Sequence, residues 1–359
     1  MTEERKRLQD LGLQVGILPR GELNLISDVL GVTVGHSTII EGQGKLVPGK
    51  GPIRTGVTII KPHQGNVYRQ KVRASSYVFN GYGKTIGLVQ VQELGNIESY
   101  IALTNTLNVP LVADALIDYH LQENPDIGIS TSTLNTVVGE CHDGILNDIQ
   151  GRHVTKKQVF EAIQSAESIF QEGSVGAGTG MTALGYKGGI GSSSRIIEEG
   201  DLIYHLGALV LSNFGMKGDL MFLGNKIDKA EINEERTKGS IIIVLATDAP
   251  LNSRQLHRLA KRAPLGLSRT GSFGSHGSGD VIIIFSTNNK IDHDFTKPII
   301  EMSIVNERTR LFRNLLRAVV ETTEEAILNS LLMATTVVGR DDNVVEAISI
   351  EKIKEKLSS

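Results

Sequence analysis

The sequence predicts a mixed α/β protein in which helices are layered on sheet. Two patterns carry this. Short β-branched runs recur between glycine-rich segments, and amphipathic stretches begin at recognisable capping residues. There is no internal repeat and no low-complexity segment, so the elements mix along the whole chain as α/β layers do.

In chain order, residues 57–60 and 85–91 read as strands. Pro110 suits the first turn of a helix running through 111–121. Thr155 and Gln158 have capping-box spacing. Val159, Ile163, Ala166 and Phe170 then keep one helical face, and Gly173 is the expected stop. Residues 206–211, 241–246 and 281–285 are apolar enough to be strands covered on both faces. Asn252 and Gln255 repeat the capping pattern ahead of Leu256, Leu259 and Ala263, with Pro264 as the stop. Residues 308–317 are helical through Leu311, Leu315 and Leu316. The helix either continues past Val319 or gives way to a second one capped by Thr322 and Glu325, running to Leu332. Polar residues 225–238 are the best linker. The sequence leaves strand order open.

The 359 residues suffice for one large domain or two ordinary ones. A net charge of −3, from 37 basic and 40 acidic residues, excludes a strongly basic nucleic-acid binder. The clusters Arg5-Lys6-Arg7 and His257-Arg258 with Lys261-Arg262 read as solvated helix faces. Aromatics are 4% and Trp is absent, so a base-stacking platform is not expected. Cys141 is the only cysteine, which excludes an intramolecular disulfide and a cysteine metal cluster. No apolar run of membrane-spanning length is present, and the charged start MTEERKRLQD does not read as a secretory signal. The expectation is a soluble, cytoplasmic protein with no nucleic-acid or membrane partner.

Three motif candidates fail. Residues 178–183 match G-x-G-x-x-A but lack the strand-then-helix context that a dinucleotide site requires. Gly83-Lys84-Thr85 resembles the end of a phosphate loop, but Val78 stands where its first glycine belongs. His142, Asp143, Asp148 and His153 follow no zinc spacing and read as polar loop residues. No metal or other cofactor is expected.

The step Gly239-Ser240 is different. A hydroxyl residue follows glycine and opens a β-branched run. Gly-Ser steps are commonly turns. If this one is cut, however, Ser240 carries a hydroxyl nucleophile and an α-amine of pKa about 7.7–8.0 on one residue.

Several ordered segments then resemble one family: Arg54-Thr55-Gly56-Val57-Thr58, Phe79-Asn80-Gly81-Tyr82-Gly83, Thr104-Asn105-Thr106, Val138-Gly139-Glu140, GAGTGMTALGYKGGIGSSSR over 176–195, SIIIVLATDAPL over 240–251, and Ser278-Gly279-Asp280. The chain resembles the L-aminopeptidase/D-esterase family, which includes β-peptidyl aminopeptidases, from about residue 7 to about residue 333. The resemblance implies an αββα four-layer sandwich of the aminopeptidase/ornithine acetyltransferase type. It implies a single catalytic domain over 1–359, self-cut into an α-chain 1–239 and a β-chain 240–359, and an oligomer of four αβ units.

The resemblance also implies roles. Ser240 would be the nucleophile and Gly239 the unobstructed acyl side of the cleavage site. Ser278 and Asp280 match a serine–acid pair near the new amine, with Asp280 where many members carry Glu. Asn213 matches an asparagine whose amide donates to the oxyanion. Glu140 matches a glutamate that binds the substrate amine. His142 stands where some members have a catalytic tyrosine. The implied activity is release of N-terminal residues from short peptides, amides or esters. An acyltransferase and a non-catalytic ligand-binding protein on the same fold are the alternatives.

Overall fold

The computed structural model describes residues 3–229, 239–295 and 297–358. Two sheets dominate it. One has four strands in the order Thr33–Glu41, Ile53–Lys61, Ile101–Asn105 and Val137–Cys141. The other has six, in the order Asn96–Ile97, Gln70–Gly81, Ser278–Asp292, Gly239–Thr247, Leu202–Asn213 and Gly189–Glu199.

Strand pairing is antiparallel except in one pair per sheet. Ile101–Asn105 runs parallel to Val137–Cys141, and Gly239–Thr247 runs parallel to Ser278–Asp292. A parallel pair needs a crossover, usually helical. Here Val109–Glu123 lies in the first crossover, and Ser253–Ala260 with Ala263–Arg269 in the second.

The strand Gly239–Thr247 shows why the layers stack. Its side chains alternate between two apolar cores. Ile241, Ile243 and Leu245 pack with Leu256, Leu259, Phe312 and Leu315 of the helical layer. Ile242, Val244 and Ala246 pack with Ile101, Leu103 and Val137 of the facing sheet. A third core covers the far side of that sheet, where Val57 and Ile59 meet Val112, Leu116, Val159 and Ile163. The order is therefore helix, sheet, sheet, helix, as the resemblance implied. Burial on both faces explains why the run lacks polar alternation.

Local signals predict helix starts well. The capping boxes at Thr155 and Asn252 both form, and Pro110 sits in the first turn of its helix. Such a cap contributes about 1 kcal/mol. Three expectations need correction, and the choice left open past Val319 is settled. Residues 85–91 are not a strand: Gly87 adopts φ +88°, Leu88–Leu94 is a helix, and Val91 is buried while Val89 is 84% exposed. Residues two apart thus fall on different faces, as helical steps require. The helix after Thr155 ends at Gln164 and does not reach Phe170, because Glu167 exchanges backbone hydrogen bonds of 3.0 and 3.1 Å with Val34. Pro264 does not stop a helix; it lies in the first turn of Ala263–Arg269. Arg310–Leu332 is one helix, and Thr322 donates back to the Ala318 carbonyl at 2.8 Å instead of capping a second one.

The polar stretch 225–238 begins as a hairpin in which Asn225–Lys226 pairs with Met221–Phe222. Residues 230–238 lie outside the described residues. Among the described residues no helix is long and apolar enough to cross a membrane.

Candidate active site

Register assembles the site at one end of three neighbouring strands. Ser240 opposes Asn213 in the antiparallel ladder and Gly279 in the parallel one. On the same parallel ladder Gly239 opposes Ser278, and Ile241 opposes Asp280. Ser240 is 5% exposed. Its hydroxyl donates to the Gly239 carbonyl at 2.7 Å and accepts from the Gly279 N–H at 3.3 Å.

Ser278 and Asp280 are two apart on a strand, so they share a face. The Ser278 hydroxyl donates to Asp280 Oδ1 at 2.5 Å. Asp280 Oδ2 is buried with no hydrogen-bond partner among the described residues. Burial pushes the Asp280 carboxyl up to about 6, against the pull of the Ser278 hydroxyl. Asn80 ties the loop ahead of Ser278, its amide donating to the carbonyls of Ser275 and His276 at 3.1 Å each and contacting that of Ser278.

The Asn213 amide is held at both ends. Nδ2 donates to the His142 carbonyl at 2.9 Å, and Oδ1 accepts from the Thr182 N–H at 2.9 Å. His142 therefore reaches the site through its backbone. Its side chain is exposed, against Gly144.

Glu140 lies on the strand Val137–Cys141, which faces the Ser240 strand across the inter-sheet core. It is 2% exposed. The Lys84 N–H donates to Oε1 at 2.7 Å, and the Thr106 hydroxyl donates to Oε2. Gly83 links the two halves of the site: a Cβ built there would lie 3.5 Å from Glu140 Oε1 and 3.7 Å from the Gly279 Cα. A shallow depression lined by Phe214, Met216, Asp219 and Phe273 opens beside Ser278.

Cys141 is buried and donates to the Leu211 carbonyl at 3.5 Å, and burial pushes its thiol well up, as suits a passive neighbour. The other polar residues nearby are committed elsewhere. His153 pairs with Asp148 at 2.9 Å, and Asp143 accepts from Thr55 at 2.6 Å. Among the described residues no group of three or more His, Cys, Asp or Glu could hold a metal ion.

Residues 24–345 match the sequence model of peptidase family S58. The chain belongs to peptidase family S58. It is 40% identical, over an alignment 364 positions long, to the β-peptidyl aminopeptidase BapA of Sphingosinicella xenopeptidilytica, covering 97% of this chain and 90% of that protein. Among solved structures, the PH0078 protein of Pyrococcus horikoshii OT3 superposes with a TM-score of 0.94 at 50% identity, covering 98% of this chain and 99% of that one. The L-aminopeptidase D-Ala-esterase/amidase of Ochrobactrum anthropi, a prototype serine aminopeptidase with a variant of the Ntn hydrolase fold, superposes with a TM-score of 0.89 at 34% identity, covering 98% of each chain. This family S58 chain is thus a self-processing serine aminopeptidase on an Ntn-type fold.

Sequence reasoning missed Asn80 and Thr106 as site residues, although both lie in segments that carry the resemblance. It also missed Thr182, for which spacing offers no signal, because its contact to Asn213 is made by the backbone.

Proposed function

We propose that Ser240 is the nucleophile both for cutting the chain and for turnover. The observation that carries this is the Ser240 hydroxyl, which contacts the carbonyl of the preceding residue at 2.7 Å. It sits one strand from a buried carboxylate, one oxygen of which has no hydrogen-bond partner among the described residues. In processing, Ser240 Oγ attacks the Gly239 carbonyl carbon, the peptide nitrogen leaves as the Ser240 α-amine, and water hydrolyses the resulting ester. The products are a Gly239 carboxylate and an N-terminal Ser240.

In turnover that amine takes the hydroxyl proton as Oγ attacks the carbonyl of the substrate's first residue. An amide carries two N–H donors, and the His142 carbonyl takes one from Asn213. The other serves the oxyanion, a contact typically worth about 2.7–4 kcal/mol. The open oxygen of Asp280 receives the Ser240 amine, because Asp280 lies opposite Ile241, the residue after Ser240. Glu140 pairs with the substrate's ammonium, which a buried site must neutralise. The ring of His142, exposed above this group, meets the substrate.

The substrates are short peptides, amides or esters with a free amine, and the β-peptidyl aminopeptidase relatives support β-amino acids at the first position. The 1–359 chain acts as one catalytic domain. The six-stranded sheet draws strands from both sides of the 239–240 bond, which supports α- and β-chains that stay together after the cut. A cytoplasmic location and an oligomer of four αβ units complete the reading.

Gel analysis with N-terminal sequencing tests it. Wild-type protein should give two fragments of about 26 and about 13 kDa by residue count, the smaller beginning Ser-Ile-Ile-Ile-Val, and Ser240→Ala should stay whole and inactive. Cleavage of Ser240→Ala at the same bond would defeat the assignment.

A further inference from the structure

The two polar ends of the Asn213 amide are held by two different loops, and each loop is anchored in the interior by one ionisable side chain. On the Oδ1 side the holder is the Thr182 N–H. Thr182 pairs with Lys187 across a short hairpin. Lys187 is wholly buried, and its ammonium donates to the carbonyls of Gly178 at 2.8 Å and Gly188 at 2.9 Å. These carbonyls flank the hairpin in sequence, so one side chain clamps its base. On the Nδ2 side the holder is the carbonyl of His142. The next residue, Asp143, is wholly buried against Thr55 and Asn147. The two loops touch: a Cβ built on Gly180 would lie 2.8 Å from Asp143 Cβ.

Stability does not explain Lys187. Among the described residues no carboxylate oxygen lies within ion-pair distance of its ammonium. Burial lowers its pKa to about 7, with Asp143 acting the other way. Burying an amine without a paired charge is costly, and an apolar side chain of similar length avoids that cost. What Lys187 does supply is two hydrogen bonds, to the Gly178 and Gly188 carbonyls, that fix the hairpin presenting the Thr182 N–H.

We propose that Lys187 is a positioning residue for the reaction: it sets the aim of the Asn213 amide by clamping the loop that holds Asn213 Oδ1. This rests on the reading of Asn213 as the oxyanion donor. Both attacks, on Gly239 and on substrate, generate an oxyanion, so both rates depend on that aim.

The test is a double-mutant cycle on the full chain with Asn213→Ala, Lys187→Met and the pair. The rate of 239–240 cleavage is followed on gels, and kcat and KM are measured in processed protein. Lys187→Met should slow cleavage and lower kcat by about 10- to 100-fold, the scale of a misplacement near 1 Å, with KM within about twofold. The pair should be no slower than Asn213→Ala alone. The proposal is overturned by wild-type rates in Lys187→Met, or by Lys187→Met slowing the Asn213→Ala chain as much as it slows wild type. Wild-type rates in Asn213→Ala would remove the oxyanion reading itself, and the proposal with it. If Lys187→Met does not fold, Lys187→Gln goes through the same cycle with the same outcomes.

Discussion

Ser240 and Asn213 stand directly opposite each other in the antiparallel ladder, one the second residue of its strand and the other the last of its own. A hydroxyl and a primary amide are thereby fixed by backbone hydrogen bonds on rigid elements, which hold a site more closely than loops do. Three consequences for catalysis and two for stability follow.

Gly239 is needed for space. A Cβ there would lie 2.7 Å from the Phe214 Cα and 2.8 Å from the Asn213 carbonyl oxygen, both backbone atoms that cannot swing aside. Gly239→Ala should therefore slow self-cutting by about 10-fold or more, since the acyl group must shift. Protein that has been cut should keep near-normal kcat, because residue 239 is then a chain end. Cutting at the wild-type rate, timed on gels, would refute this.

Glu140→Gln keeps the shape and removes the charge: its amide oxygen still accepts from the Lys84 N–H, and the Thr106 hydroxyl turns to accept from its NH2. KM for an amino-acid amide should rise about 10-fold or more, with kcat less affected. Wild-type enzyme should ignore the N-acetylated amide, which has no ammonium. Equal rates on the free and acetylated amides would sink the amine-anchor role.

His142→Ala separates ring from backbone. Asn213 is held by the His142 carbonyl, which alanine retains. We expect a raised KM with kcat within about threefold. A collapse of kcat would mean that the ring, not the carbonyl, serves the chemical step.

Asp280 should leave a stability signature in uncut protein, studied as Ser240→Ala. Its carboxyl is raised from 3.8 to about 6 by burial. A raised carboxyl binds its proton more tightly folded than unfolded, so its contribution is complete below about pH 3.8 and is lost as pH rises through about 6. Asp143 and Glu172, each raised to about 7, act in the same direction. Melting temperature should fall between pH 4 and 7, and Asp280→Asn in the same background should flatten that fall. Identical slopes would show that Asp280 titrates at its ordinary value.

Arg195 is buried between Glu321 at 3.2 Å and Glu325 at 2.6 Å. Arg195→Met takes the buried cation from between them, leaving Glu321 with only the Ile17 and Leu18 N–H donors and Glu325 with Arg20 and Asn24, which should cost about 3 kcal/mol. Denaturant unfolding of the uncut Ser240→Ala chain, with and without this change, measures it. A loss below about 1 kcal/mol would contradict the buried-charge argument.

What the sequence by itself determined is local. The runs at 241–246 and 281–285 are strands because unbroken β-branched stretches need cover on both faces. The helices at Lys156 and Ser253 start where they do because the capping pair lies three residues apart and needs nothing else. The ordered motifs marked the segments that build the site. Tertiary structure decided the rest. Residues 85–91 carry the same residue types as a strand, yet Gly87 turns the chain and the facing core takes Val91 and, in part, Leu88, three residues apart on one helical face. The helix after Thr155 ends at Gln164 because the backbone of Glu167 finds a partner on a distant strand. No spacing shows that Asn213 faces Ser240, that Asn80 ties the Ser278 loop, or that Lys187 clamps the hairpin behind Asn213. Capping and burial period depend on neighbours a few residues away, whereas register and the partners of a buried polar atom are settled only when segments remote in sequence close on one another and compete for the same hydrogen bonds.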